Sequence, residues 1–199
     1  MKRLFLPVLV AVATLTSCDS NHTENTTAND TAVLVPSDSS TATTPATTTP
    51  AATGTVSDMD RDWAMKSADG GMMEVQSSEL AMNTSSNQAV KDFAKMMIDD
   101  HTKANNELKS LATTKGINLP TALGPEHKAK YDELAAKKGA DFDKAYVATM
   151  DMDHEKTVQS FKDYSQTGTD ADMKAWASKT LPTLEHHAMM VKDMKAKMK

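Results

Sequence analysis

The 199-residue chain has a net charge of -5 and is 39% apolar, and its hydrophobic periodicity is confined to the part after Met59. One modest globular domain follows, because the first third cannot bury enough area to offset its chain entropy. From Met59 onward acids and bases nearly balance, which excludes the basic footprint of a nucleic-acid-binding protein. Phosphate-cradling glycine loops and a Gly-x-Ser-x-Gly turn are absent, so nucleotide chemistry and serine hydrolysis have no support.

The chain opens with Lys2 and Arg3 and an apolar run from Leu4 to Leu15. That run is too short to cross about 30 Å of hydrocarbon as a helix and reads as an export signal. It ends in Leu15-Thr16-Ser17-Cys18, which resembles the bacterial lipobox, so residues 1–17 are expected to be a lipoprotein signal peptide and Cys18 the lipidated residue. Cys18 is the only cysteine, which rules out a disulfide within the chain. Several acyl chains, each burying methylenes worth about 0.8 kcal/mol, would hold the protein on a membrane of the cell envelope. Membrane contact is thus expected through the lipid alone. Residues 18–57, rich in Thr, Ser, Pro and Ala, read as a disordered tether, and residues 58–199 as the folded domain.

The composition of the domain is helical. The first helix, capped by Ser57 or Asp58, carries Trp63, Ala64, Gly71, Glu74, Ser78 and Ala81 on its stripe. A second, from Ser85 or Ser86, carries Val90, Phe93, Ala94, Met97, His101 and Leu108, with Gly116 as its stop. A connection from Ile117 to Ala140 is long for a bundle loop and encloses a short helical stretch at Glu126 to Lys138. It suits a crossover that carries the chain from one end of a bundle to the other. A third main helix after Asp141-Phe142-Asp143 carries Tyr146, Met150, His154 and Phe161. The fourth, from Thr169 or Asp170, carries Met173, Trp176, Leu184, His187 and Val191, with Pro182 expected to interrupt and kink it.

His101, His154 and His187 therefore lie on three apolar stripes, at comparable heights along helices about 40 Å long. Asp99, Asp100 and His186 point more outward. Buried imidazoles need a partner, so the pattern predicts one polar layer: either a metal site or a core hydrogen-bond network that fixes helix register.

Glu74-Val75, Phe93-Ala94-Lys95-Met96-Met97-Ile98-Asp99-Asp100-His101, Phe142-Asp143-Lys144-Ala145-Tyr146 with His154, and Leu181-Pro182-Thr183-Leu184-Glu185-His186-His187 together resemble the bacterial domain-of-unknown-function family 4142. The resemblance covers about Met59 to Met194 and implies an all-α, ferritin-like four-helix bundle with no established activity. Its motif positions fall on Glu74, His101, His154 and His187. Carboxylate-bridged di-iron bundles place Glu-x-x-His on two helices, whereas here Ile98 and Leu184 precede His101 and His187 by three residues and only His154 has an acid there, Asp151. Three imidazoles and one carboxylate suit instead a single zinc, copper, iron or manganese ion, with Asp100, Asp151 and Asp153 as supporting carboxylates. The methionines Met189, Met190 and Met194 add soft donors for copper(I), although methionine also fills cores. No catalytic residue is assigned. The alternatives are an envelope-anchored metal-binding bundle and an interaction module without metal.

Overall fold

The structure, a computed structural model, describes residues 56–198; the expected signal peptide, Cys18 and nearly all of the tether lie outside the described residues. Five helices follow in order: α1 (Asp58–Thr84), α2 (Gln88–Thr114), α3 (Pro125–Ala135), α4 (Gly139–Thr167) and α5 (Ala171–Lys197). There is no strand among the described residues.

The helix ends follow local chemistry. Ser57 caps α1, its hydroxyl accepting from the Asp60 N–H, and Asp170 caps α5 through the N–H groups of Asp172 and Met173. The α2 cap is Asn87, not the expected Ser85 or Ser86, because the Ser85 hydroxyl is engaged by the Asn87 N–H at 3.0 Å. At its other end Gly116 takes φ 65°, and the Ile117 N–H closes onto the Ala112 carbonyl at 2.8 Å while Ile117 is buried. This is a Schellman stop, and it needs the left-handed residue. The short helix is displaced toward the N-terminus of the expected stretch, and α4 starts at Gly139, ahead of Asp141. Pro182 does not interrupt α5: it removes one backbone donor, its ring sits on the exposed side, and the helix continues on both sides of it.

Cross-helix contacts define the topology. Asp60 meets Tyr164 while Ser78 meets Tyr146, so α1 and α4 are antiparallel; Lys115 meets Asp172 while Asp100 meets His187, so α2 and α5 are antiparallel. Helices α2 and α4 consequently end at the same end of the bundle, and the chain must travel its full length between them. The α3 segment makes that crossing against α1 and α4. It is fastened by Asp69, which accepts from the Gly124 N–H and from His127 Nδ1 at 2.8 Å each, and by Lys130 on Asp153 at 2.9 Å. The fold is the all-α, ferritin-like four-helix bundle with a crossover and a short extra helix.

The apolar core is split in two. At one end Trp63, Phe161, Tyr164 and Trp176 pack with Leu108 and Met173, Trp63 stacking on Tyr164 at 3.6 Å between ring centroids. At the other end Met73, Phe93, Met97, Phe142, Tyr146 and Met150 pack together. Full burial of each such side chain is worth about 1.5–3 kcal/mol, so the two clusters hold the bundle. On α2, α4 and α5 the break between them falls at His101, His154 and His187, and on α1 Glu74 stands beside Met73, where the second cluster begins.

Candidate metal centre

Those four residues form a buried polar layer. Glu74 and His101 are 3% and 4% exposed, and His154 and His187 are fully buried. The three ring centroids are 5.2–5.5 Å apart. One nitrogen from each imidazole lies within 4.8 Å of the others.

Each ring is held by one nitrogen and leaves the other facing the layer. His101 Nδ1 meets Glu74 Oε2 at 3.0 Å. His154 Nδ1 donates to the Met150 carbonyl at 3.0 Å, with Glu74 Oε1 3.5 Å away. His187 Nε2 donates to Asp100 Oδ2 at 3.0 Å. The nitrogens left over are His101 Nε2 and His187 Nδ1, 3.3 Å apart, and His154 Nε2, which is buried with no hydrogen-bond partner. An imidazole whose outer N–H is fixed by an oxygen acceptor is oriented to offer its inner lone pair to a metal.

The electrostatics select one proton arrangement. Burial opposes the charge on Glu74, but the imidazoles of His101 and His154 outweigh it and hold the carboxyl down to about 2. Burial likewise works against the His101 cation, and Glu74 overcomes it and raises the pKa. His187 is lowered to about 4 and His154 is lowered too, first by burial, with the charge of His101 adding to the effect. The carboxylate thus favours a proton on His101, whose Nδ1 faces Glu74 and whose Nε2 faces His187, while burial disfavours charge on the other two rings. Glu74 Oε1 is left without a hydrogen-bond partner.

Of the residues singled out in the sequence, Glu74, His101, His154 and His187 come together, and Asp100 joins them although its own helix turns it outward. Asp151 does not: it pairs with Lys195 Nζ at 2.6 Å on the outer α4–α5 seam. Asp153 pairs with Lys130 through Oδ1, and its charge favours a proton on His154. Among the methionines Met189 and Met190 are exposed, at 61% and 37%, and Met150 supplies the layer with a backbone carbonyl.

The sequence profile described as "Domain of unknown function (DUF4142)" matches residues 45–194. The chain belongs to this family. Among solved structures it is similar to a DUF305 fragment from Deinococcus radiodurans, at a TM-score of 0.64 and 9% identity, covering 72% of this chain and 99% of that one. It is also similar to a putative secreted protein, DUF305, from Streptomyces coelicolor, at a TM-score of 0.58 and 15% identity, covering 68% of this chain and 89% of that one. At these identities the likeness is one of fold. No curated protein matches the chain. Among the described residues of this DUF4142 member, no helix is long and apolar enough to cross a membrane.

Two features of the site had no signal in the sequence. A cavity of about 320 Å³ adjoins the layer, lined by Glu74, His101, Trp176 and Thr157 among others. The Asp69–His127 contact that walls it joins residues 58 positions apart on different helices. Neither residue belongs to a spaced motif, so only the fold brings them together.

Proposed function

We propose that this DUF4142 protein is an exported, lipid-anchored bundle that holds one transition-metal ion through His101 Nε2, His154 Nε2 and His187 Nδ1, serving metal buffering or stress protection at the cell envelope. The observation that carries the reading is the unpartnered, fully buried His154 Nε2 facing two imidazoles whose outer nitrogens are already held by carboxylates. A tetrahedral ion with metal–nitrogen bonds of about 2.0–2.1 Å sets its ligands about 3.3 Å apart. The separation of His101 Nε2 from His187 Nδ1 is already 3.3 Å, and one nitrogen of His154 lies within 4.8 Å of theirs. Glu74 and Asp100 then lie behind two of the ligands, and their two negative charges balance a divalent ion. A wholly structural layer would leave His154 Nε2 buried and unpaired, at about 1–3 kcal/mol.

Export and lipid attachment rest on Leu15-Thr16-Ser17-Cys18 and on the apolar run before it. Globomycin-sensitive processing and labelling by radioactive palmitate, both lost in Cys18→Ser, test them. The metal reading is tested by exposing the purified full chain to zinc, copper(II), iron(II) and manganese(II) in turn and measuring bound metal. About one ion per chain is expected for at least one of the four. Less than about a tenth of an ion per chain for all four would sink the proposal, as would unchanged binding in His154→Ala.

A further inference from the structure

Along each main helix, one turn from the layer toward the aromatic end, stands a residue that lines the cavity: Gly71 on α1, Ala104 on α2, Thr157 on α4 and Leu184 on α5. One turn in the other direction stand Ser78, Met97, Met150 and Val191, all buried. The layer is therefore packed shut on the methionine side and open on the aromatic side, where Glu74 and His101 themselves form part of the cavity wall. A tetrahedral ion on three imidazoles keeps a fourth position, and the space for a fourth ligand lies on the cavity side.

Among the residues of the wall one buried donor is unpaired, Trp176 Nε1, beside the carboxylate oxygens Glu74 Oε1 and Asp153 Oδ2. The Trp176 ring is 9% exposed and lines the cavity, and its indole N–H has no partner. Indole nitrogen only donates, so whatever satisfies it accepts. Trp63, by contrast, spends its N–H on Ser160 Oγ at 3.1 Å, which leaves the Ser160 hydroxyl hydrogen for another acceptor. Lys66 and Lys156 stand on the exposed rim. The carboxylates on the wall, Glu74, Glu126 and Asp153, match its three lysines in number, with Lys130 pairing with Asp153 and Glu126 at 2.9 and 3.5 Å, so the charge that draws an anion is that of the metal ion itself.

We infer that this cavity is a binding site for a small inorganic anion that reaches the open coordination position of the metal from the α1–α3–α4 side, with the Trp176 indole N–H as a hydrogen-bond donor to it. The inference rests on the metal reading above and names the ligand class that the same centre takes.

Cobalt(II) and azide serve as probes. The full chain is loaded with cobalt(II), its ligand-field bands are recorded, and azide is titrated in. The bands are expected to shift with saturation, Trp176→Phe to weaken azide about tenfold for one hydrogen bond to a charged group, and Thr157→Trp, which fills the cavity, to abolish the shift while the cobalt bands remain. Removing Lys66 and Lys156 together should weaken azide about threefold, an effect that fades with added salt, whereas Lys192→Ala, on the far surface of α5, should not. Absence of cobalt bands in the wild type overturns the metal reading and this inference with it. Bands that appear but ignore azide overturn the inference alone. So does an azide response that is equal in wild type, Trp176→Phe and Thr157→Trp, since the anion would then arrive by another route.

Discussion

Helix α1 buries two carboxylates, Asp60 and Glu74, about four turns or about 21 Å apart on one face, and they are treated in opposite ways. Asp60 is fully buried and surrounded by neutral donors: the Ser57 and Tyr164 hydroxyls, each at 2.6 Å, the Thr169 N–H at 3.0 Å, and the Thr169 hydroxyl. Burial pushes its pKa up, but the donors prevail and hold it below the usual carboxylate range. Both oxygens are satisfied, and nothing is left facing empty space. Glu74 has only imidazoles, one oxygen lacks a hydrogen bond, and the neighbouring His154 keeps a bare nitrogen. A buried polar cluster that closes on itself is a joint, here tying the start of α1 to the α4–α5 turn. One that leaves inward-facing atoms unpaired is a receptacle.

The largest expected effect tests the joint. Asp60→Ala strands several buried donors and should lower unfolding stability by about 4 kcal/mol in urea titrations. Because the Asp60 pKa is depressed in the folded state, its contribution is complete above the ordinary value of 3.8 and is lost as pH falls through the folded value. The receptacle should respond to metal instead. At a free metal concentration a hundredfold above Kd, the wild type should gain about 2.7 kcal/mol, as should Asp60→Ala measured against its own lower baseline, while His154→Ala should gain nothing. If Asp60→Ala lost the increment, the two clusters would not be independent.

Acid separates them further. His187 is lowered from 6.5 to about 4 and His154 is lowered as well, so between pH 6.5 and pH 4.5 the unfolded chain takes up protons that the folded chain refuses. Metal-free stability should fall by about 2 kcal/mol across that window. His101, raised above the ordinary imidazole value of 6.5, keeps its full contribution there and loses it only as pH rises through the folded pKa. Glu74, lowered from 4.5 to about 2, changes its contribution only below the window. His187→Gln should flatten the slope. A slope unchanged by that substitution would mean that the layer does not hold its imidazoles neutral.

Much of the receptacle was legible in the sequence and almost none of the joint. Helical period alone places Glu74, His101, His154 and His187 on inward stripes, since burial repeats every three or four residues, and the length of the α2–α4 connection implies the crossover. Asp60 carries no such signal: its partners Tyr164 and Thr169 are 104 and 109 residues away and meet it only when the bundle closes. Period also misplaces the supporting carboxylates. It measures direction on one helix, whereas Asp100 leans from its own outward face onto His187 of the neighbouring helix, and Asp151, three residues before His154, is drawn to Lys195 instead.

The smallest effect is the sharpest test of separateness. The Ser57 hydroxyl accepts from the Asp60 N–H at 3.1 Å and donates to Asp60 Oδ2 at 2.6 Å, so one side chain both caps α1 and feeds the buried carboxylate. Ser57→Ala should cost about 1 kcal/mol, the usual value of a helix cap. Half of what Ser57 does requires Asp60 to be present, so Ser57→Ala combined with Asp60→Ala should cost less than the sum of the two, with a coupling of about 0.5–1 kcal/mol. Ser57→Ala combined with Glu74→Gln should be additive within about 0.5 kcal/mol, because residues well beyond 10 Å apart and without a shared partner do not couple. Coupling in the second pair would show strain passing along α1 between the two clusters, and the histidine layer would then report on the far end of the bundle.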